Sequence, residues 1–210
     1  MIMTLSPSRT LIGIDRFSSG FVKEKLGEDM ARIVRQHAIA STAASVASAV
    51  PGAGTVACVI AQTSIVYTMY VRMNAHLGIR LRKNIVKSVA SAVIANIATN
   101  AATVIGGIAA SAVLSMIPGV GSAASAIVMC SVSYATVMIA GLVYAKTLSA
   151  LAKSKRSIES MTEDELKKAV KEELTKRDIN KDIKAFAKEY RTEKQKGTFE
   201  KAEAVELEAM

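Results

Sequence analysis

Apolar and polar positions divide the chain into three unequal parts. An irregular lead-in over residues 1–20, with Ser6-Pro7-Ser8 as a turn, gives way to a charged helical segment starting near Phe21. After His37 the chain becomes rich in Ala, Ser and Val up to Val50. Pro51-Gly52-Ala53-Gly54 then stops the helix, because proline breaks the hydrogen-bond ladder and glycine tolerates positive φ. A second apolar helix is expected from about Thr55 to Leu77, with Gly78 as its stop. The 58 residues from Ser88 to Ala145 carry no charge and break at Pro118-Gly119-Val120-Gly121. From Ser157 the pattern turns amphipathic: Thr162 and Glu165 form a capping box, and Leu166, Val170 and Leu174 share one helical face. A further helix over about Lys181–Gln195 places Ile183, Ala187 and Tyr190 on one stripe, with Ile179 and Phe186 nearby. These stripes need a partner surface. No strand-like alternation persists anywhere, so the expectation is an all-α chain.

The expected organisation is an apolar helical domain over residues 21–156 and a charged helical extension over 157–210. The apolar domain contains two hairpins, about 31–78 and 84–151, each turning at Pro-Gly-x-Gly (Pro51, Gly52, Gly54; Pro118, Gly119, Gly121). Sliding the chain by 67 positions lays the first turn on the second, Ser64 on Ser131 and Tyr67 on Tyr134. This echo reads as two hairpins of one design.

Charge sharpens the division. The net charge is +9. Residues 1–35 hold six bases and four acids, residues 36–156 nine bases and no acid, and residues 157–210 twelve bases and fourteen acids. The whole excess belongs to the apolar middle, where the bases bracket uncharged runs as they do in membrane proteins. A nucleic-acid binder instead spreads Lys and Arg over a solvated face, often with aromatics, and this chain has four Phe, five Tyr and no Trp. No nucleic-acid partner is therefore expected.

A helix rises about 1.5 Å per residue and a bilayer core is about 30 Å thick, so a span needs roughly 20 residues. The uncharged runs Ser88–Ile117 and Gly121–Ala145 are long enough, whereas His37–Val50 and Gly54–Val71 are shorter: they span only if Arg35 and Arg72 snorkel, and are otherwise re-entrant, interfacial or folded as soluble core. The cluster Arg72, Arg80, Arg82, Lys83 and Lys87 then lies on one side, expected to be cytoplasmic and to meet anionic lipid headgroups. Asn96, Asn100 and Thr103 form a polar stripe with Ser88 and Ala92, opposite Val89, Val93 and Ile97. In lipid that polar stripe must face other helices. Gly106/Ala110 and Gly107/Ser111 are small-xxx-small pairs for close helix packing or a homo-oligomer.

Chemistry is sparse. The middle has no carboxylate to act as a base or to bind a hard cation. His37 and His76 fall on different helices at the edges of apolar runs, and Cys58 and Cys130 read as buried apolar residues. Gly52-x-Gly54 and Gly119-x-Gly121 lack the strand, third glycine and Lys of nucleotide loops. The expectation is no enzyme, no cofactor and no metal. Nothing in Met1–Phe17 resembles a cleaved secretory signal.

Residues 31–151 carry a family likeness. An Ala-rich helix enters Pro51-Gly52-Ala53-Gly54, followed by Gln62-Thr63-Ser64-Ile65-Val66 and Gly78. Ile117-Pro118-Gly119-Val120-Gly121-Ser122 then leads into a small-residue apolar helix. In order and spacing these landmarks resemble a bacterial domain-of-unknown-function family found in YcjF-type membrane proteins and at the C-termini of some GTPases. The chain departs from the family pattern in having no acid between Asp29 and Glu159, and no GTPase portion precedes the matching segment. The resemblance implies a helical module associated with the cytoplasmic membrane, working beside a GTPase in trans. The function expected is that of an adaptor or anchor whose C-terminal helices recruit a protein. The rival expectations are a pore-forming or membrane-remodelling oligomer and a soluble helical interaction domain.

Overall fold

A computed structural model describes residues 27–47, 54–111, 121–154 and 157–197. It is all-helical. Six α-helices follow one another among the described residues: α1 (Glu28–Ala47), α2 (Gly54–Leu77), α3 (Lys83–Ser111), α4 (Gly121–Lys153), α5 (Glu163–Thr175) and α6 (Ile179–Gln195). A single 3-10 turn, Ile158–Ser160, links α4 to α5. The segments 48–53 and 112–120, which contain Pro51, Gly52, Pro118 and Gly119, lie outside the described residues, as do 21–26, where the first helix is expected to begin. Gly54 and Gly121 are the first residues of α2 and α4.

Helix α4 is the axis of the molecule: nearly every side chain from Cys130 to Ser149 is buried. Its neighbours can be placed from their side-chain pairs. Gln62 meets Ser133, Tyr70 meets Ala140 and Asn74 meets Tyr144, at nearly constant sequence offset, so α2 runs parallel to α4. Thr42 meets Cys130, Ser45 meets Ser133 and Val34 meets Gly141, so α1 runs antiparallel to it. Helix α3 follows α2 through a short connection and buries Val89, Val93 and Ile97, the apolar stripe expected from its sequence.

The α2 terminus shows why the chain turns where it does. The Gly78 N–H donates to the Ala75 carbonyl at 3.1 Å and Ile79 N–H to the Asn74 carbonyl at 2.9 Å. This is the paired bonding of a Schellman motif, which places the residue after the helix at positive φ; Gly78 adopts φ 70°. Ile79 packs against the core beside it.

Helices α5 and α6 find their partner surface within the chain. Leu166, Val170 and Leu174 are buried on α5, and Ile179, Ile183, Ala187 and Tyr190 on α6. They join the same hydrophobic cluster as α1–α4, save that Ala187 is simply buried. The Thr162–Glu165 capping box is the one expected, whereas α6 starts at Ile179, two residues before the expected Lys181, on a cap not expected from the sequence. Glu165 N–H donates to Thr162 Oγ1 at 3.3 Å while Thr162 N–H donates to Glu165 Oε2 at 2.9 Å. Asp178 accepts from Lys181 N–H at 3.0 Å to start α6. Burying side chains of this size contributes roughly 1.5–3 kcal/mol each, which explains why two strongly charged helices stay on an apolar bundle.

Candidate functional site

The antiparallel packing gathers charge at one end of the bundle. On α1 the charges lie in the first two turns, up to Arg35. On α2 the one formal charge is Arg72, near its end; on α3 they are Lys83 and Lys87, at its start; on α4 they are Lys146 and Lys153, at its end. The last turns of α1 and α3 and the first turns of α2 and α4 carry none, and all four lie at the opposite end. Beyond the level of Cys130, α4 continues nine residues back to Gly121, about 14 Å, roughly half a bilayer's hydrocarbon core. Two of the three large hydrophobic side chains that are strongly exposed among the described residues, Ile60 (61%) and Ile127 (42%), belong to this charge-free half. They are related by the same 67-residue shift as the two turns.

At the charged end the cluster expected from sequence is assembled as a surface. Arg72, Arg80, Arg82, Lys83 and Lys87 are all exposed, on the last turns of α2, the connection and the first turns of α3. Arg72 donates to Gln36 Oε1 at 3.2 Å and the Arg80 N–H to Glu159 Oε1 at 2.9 Å. The acid-rich extension therefore meets the acid-free middle. Glu193 lies 3.8 Å from Arg35, and Glu163 accepts from both Ser88 and Lys167 at 2.6 Å. Those two hydrogen bonds, Lys167 first, hold the Glu163 carboxyl below its usual range.

The polar stripe of α3 corrects an expectation. Asn96 and Asn100 are expected to pack between helices, but Ala92 and Asn96 are exposed and Asn100 is half-buried, its amide donating to the Asn96 carbonyl at 3.0 Å. Val89, Val93 and Ile97 take the core, so the opposite face of the same helix turns outward. Its hydroxyls, like those on the outer face of α2, bond to their own helix. Ser64 donates to the Ile60 carbonyl (3.1 Å), Thr68 to Ile65 (2.8 Å), Ser91 to Lys87 (3.0 Å) and Thr99 to Ala95 (2.9 Å). Gly106, Gly107, Ala110 and Ser111 lie in the last turns of α3, and the environment of their side chains is outside the described residues. The close approach that the structure does show is at Gly141, which sequence reading passed over.

The bundle's interior holds polar layers. Gln62 Nε2 donates to Ser133 Oγ at 2.7 Å, Ser133 shares a hydrogen bond with Ser45, and Cys130 Sγ–H donates to the Thr42 carbonyl at 3.5 Å. Two to three turns away Tyr70 and Tyr144 stack at 3.8 Å, with Tyr70 donating to the Ala140 carbonyl and Tyr144 to Asn74 Oδ1. His37 is buried, with Nδ1 2.7 Å from the Ile33 carbonyl. Every buried side-chain nitrogen or oxygen among the described residues is partnered. These layers fix how α1, α2 and α4 align. Among the described residues no three His, Cys, Asp or Glu side chains come together as a metal site.

One helix among the described residues, Ala126–Lys153 within α4, is long and apolar enough to cross a membrane, and it is mostly buried inside the bundle. No protein-family model, curated protein or solved structure matches the chain.

Proposed function

We propose that this chain is a non-enzymatic, membrane-associated helical anchor or adaptor whose charge-free end enters the bilayer while its charged end stays at the cytoplasmic surface. The partition of charge along the bundle axis carries this reading. A folded module that faces water on all sides has no reason to clear every Lys, Arg, Asp and Glu from one end of four helices; a low-dielectric surroundings supplies one. The charge-free part beyond Cys130 is about one leaflet deep, which suits insertion into a single leaflet better than four full crossings.

In this reading Arg72, Arg80, Arg82, Lys83 and Lys87 contact anionic headgroups, each contributing on the order of 1 kcal/mol. Because the apolar stripes of α5 and α6 are buried at home, a protein partner would be recruited through their charged outer faces. The family resemblance suggests a GTPase acting in trans as that partner, and a homo-oligomer is compatible with the same arrangement. The test is vesicle flotation with and without phosphatidylglycerol, using the wild-type chain and Arg80→Glu/Arg82→Glu/Lys83→Glu. Wild type should float with the anionic vesicles, and the triple variant should bind at least ~100-fold more weakly, as the loss of ~3 kcal/mol requires. A wild-type chain that stays wholly in the dense fraction would overturn the reading.

A second reading, a soluble helical interaction module, draws on one observation: the single helix apolar enough to span is used as the core of the bundle. It predicts that same dense-fraction result. A pore within one chain is disfavoured, because Asn96 points outward.

A further inference from the structure

We infer that the outer face of α6 is a docking surface for an acidic helix of a partner protein, held by a stripe of Lys181, Lys184, Lys188 and Arg191. The inference rests on the adaptor reading above and names the partner chemistry that this reading leaves general.

The stripe is a product of how α6 packs. Its apolar side chains Ile179, Ile183, Ala187 and Tyr190 are buried against the bundle. All three acids of the helix sit at the edges of that seam, half-buried and engaged. Asp182 pairs with Arg177 at 2.7 Å, Glu189 accepts from the Tyr134 hydroxyl at 3.2 Å, and Glu193 lies 3.8 Å from Arg35 and 3.3 Å from Lys196. The exposed charges of α6 are therefore all positive: Lys181, Lys184, Lys188, Arg191 and Lys194. Lys194 leans over the Tyr190 ring, 5.9 Å from its centre. The other four make no ion pair among the described residues. Spaced by three, four and three residues, they fall within about 80° of one another around the helix and span about 15 Å of its length.

A helix face that only has to be soluble mixes its charges. Helix α5 does so, exposing Asp164, Glu165, Lys168, Lys171 and Glu172. On α6 three successive pairs of like charge stand one turn apart, an arrangement that weakens a helix. Acids at the same spacing on a neighbouring helix would offset that repulsion. The charge of the stripe thus sets the sign of the partner, and its spacing sets the partner's form. Two other polyanions fit less well. The charge of Asp182 is felt at Lys146, and Glu189 bonds Tyr134, so α6 runs along the bundle axis, antiparallel to α4. A bilayer that receives the charge-free end crosses that axis and meets one end of the stripe, not its length. A nucleic-acid strand draws on aromatic rings for stacking, and the rings of α6, Phe186 and Tyr190, pack against the core.

The experiment is fluorescence anisotropy of a labelled helical peptide titrated with the full-length chain. The peptide is built of alanine and glutamine, with four glutamates at intervals of three, four and three residues; an isomer of the same composition spreads its glutamates around the helix. The expected result is saturable one-to-one binding of the first peptide, weaker by about tenfold for the isomer and for Lys184→Glu/Lys188→Glu. Lys181→Glu/Arg191→Glu should weaken it alike, while Lys168→Glu/Lys171→Glu, the same change of charge on α5, should leave it unchanged. All six residues are exposed, and thermal melting checks that each variant folds. Equal affinity for the isomer, indifference to the α6 variants, or an equal loss in the α5 variant overturns the assignment. So does tighter binding of a single-stranded RNA through the same residues, or flotation on phosphatidylglycerol vesicles that depends on Lys184 and Lys188 more than peptide binding does. Peptide binding that appears only when Glu200, Glu203, Glu206 and Glu208 are replaced by Gln would give the stripe to the chain's own end and overturns it too. A chain that binds the peptide but does not float upholds the stripe while defeating the anchor reading; one that floats but ignores the peptide defeats the stripe alone.

Discussion

The tightest contact in the bundle gives its most discriminating test. Gly141 sits in the middle of α4 opposite Val34 of α1, and a Cβ built on it would stand 2.6 and 2.7 Å from the two Val34 methyls and 3.2 Å from the Val34 Cβ. Ordinary van der Waals contact begins near 3.4 Å. Valine in a helix has one strongly preferred χ1, so neither methyl can swing away cheaply, and Val34 is buried. The helices must part instead. Overpacking of this kind costs about 2–3 kcal/mol, while replacing Gly by Ala inside a helix returns about 1 kcal/mol of propensity. Gly141→Ala should therefore destabilise the protein by about 1–2 kcal/mol. Val34→Ala alone removes two buried methyl groups and should cost about 2 kcal/mol. In that background the two close methyls are gone and only the milder 3.2 Å contact with the residue 34 Cβ opposes the propensity gain, so Gly141→Ala should become neutral to stabilising, by up to ~1 kcal/mol. The double-mutant cycle, measured by urea unfolding followed by far-UV circular dichroism, should give a coupling of ~2–3 kcal/mol. Coupling below ~0.5 kcal/mol, or a stabilising Gly141→Ala in the wild-type background, would refute the α1–α4 packing from which the charge-free end is deduced.

Two further predictions concern buried polar groups. Burial holds the His37 pKa below 6.5, with the nearby Arg72 charge acting the same way and the Ile33 carbonyl opposing both. The unfolded chain therefore takes up the proton first, so stability is complete above pH ~6.5 and falls as pH drops below it. His37→Gln should flatten that slope in pH-dependent melting, and an unchanged slope would show that His37 is not its source. Ser133→Ala should cost about 1 kcal/mol in urea unfolding, because it removes the hydroxyl that accepts from the buried Gln62 amide. Adding Gln62→Met should recover most of the loss; a double variant as weak as the sum of the singles would contradict the network.

The helices themselves were legible in the chain because their signals are local. Gly78, the Thr162–Glu165 box, and the stripes Leu166/Val170/Leu174 and Ile183/Ala187/Tyr190 each act within one or two turns, and each appears where expected. What covers those stripes was not legible, because the surface that receives them lies on α3 and α4, far away in sequence. The orientation of α3 was ambiguous for a different reason. With Val, Ile, Ala, Ser and Asn distributed around the helix, its two faces differ little in polarity, and the decision fell to how Val89, Val93 and Ile97 fit α4. Gly141 stands in an otherwise unbroken apolar helix, where only the approach of Val34 gives it a purpose. The place of the basic cluster at one end was legible as well, because Arg72, Arg80, Arg82, Lys83 and Lys87 follow one another across the short connection between α2 and α3.

The central claim is that the charge-free end lies in lipid and the charged end does not. The chain contains no tryptophan, so one introduced at a time is a unique reporter. Ile127→Trp and Ala150→Trp place it at exposed positions of α4, one in the charge-free half and one at the charged end, about 35 Å apart along the helix. Fluorescence quenching by phosphatidylglycerol with brominated acyl chains should be strong at position 127 and absent at position 150. Equal quenching at the two positions, or none at 127, would contradict the account.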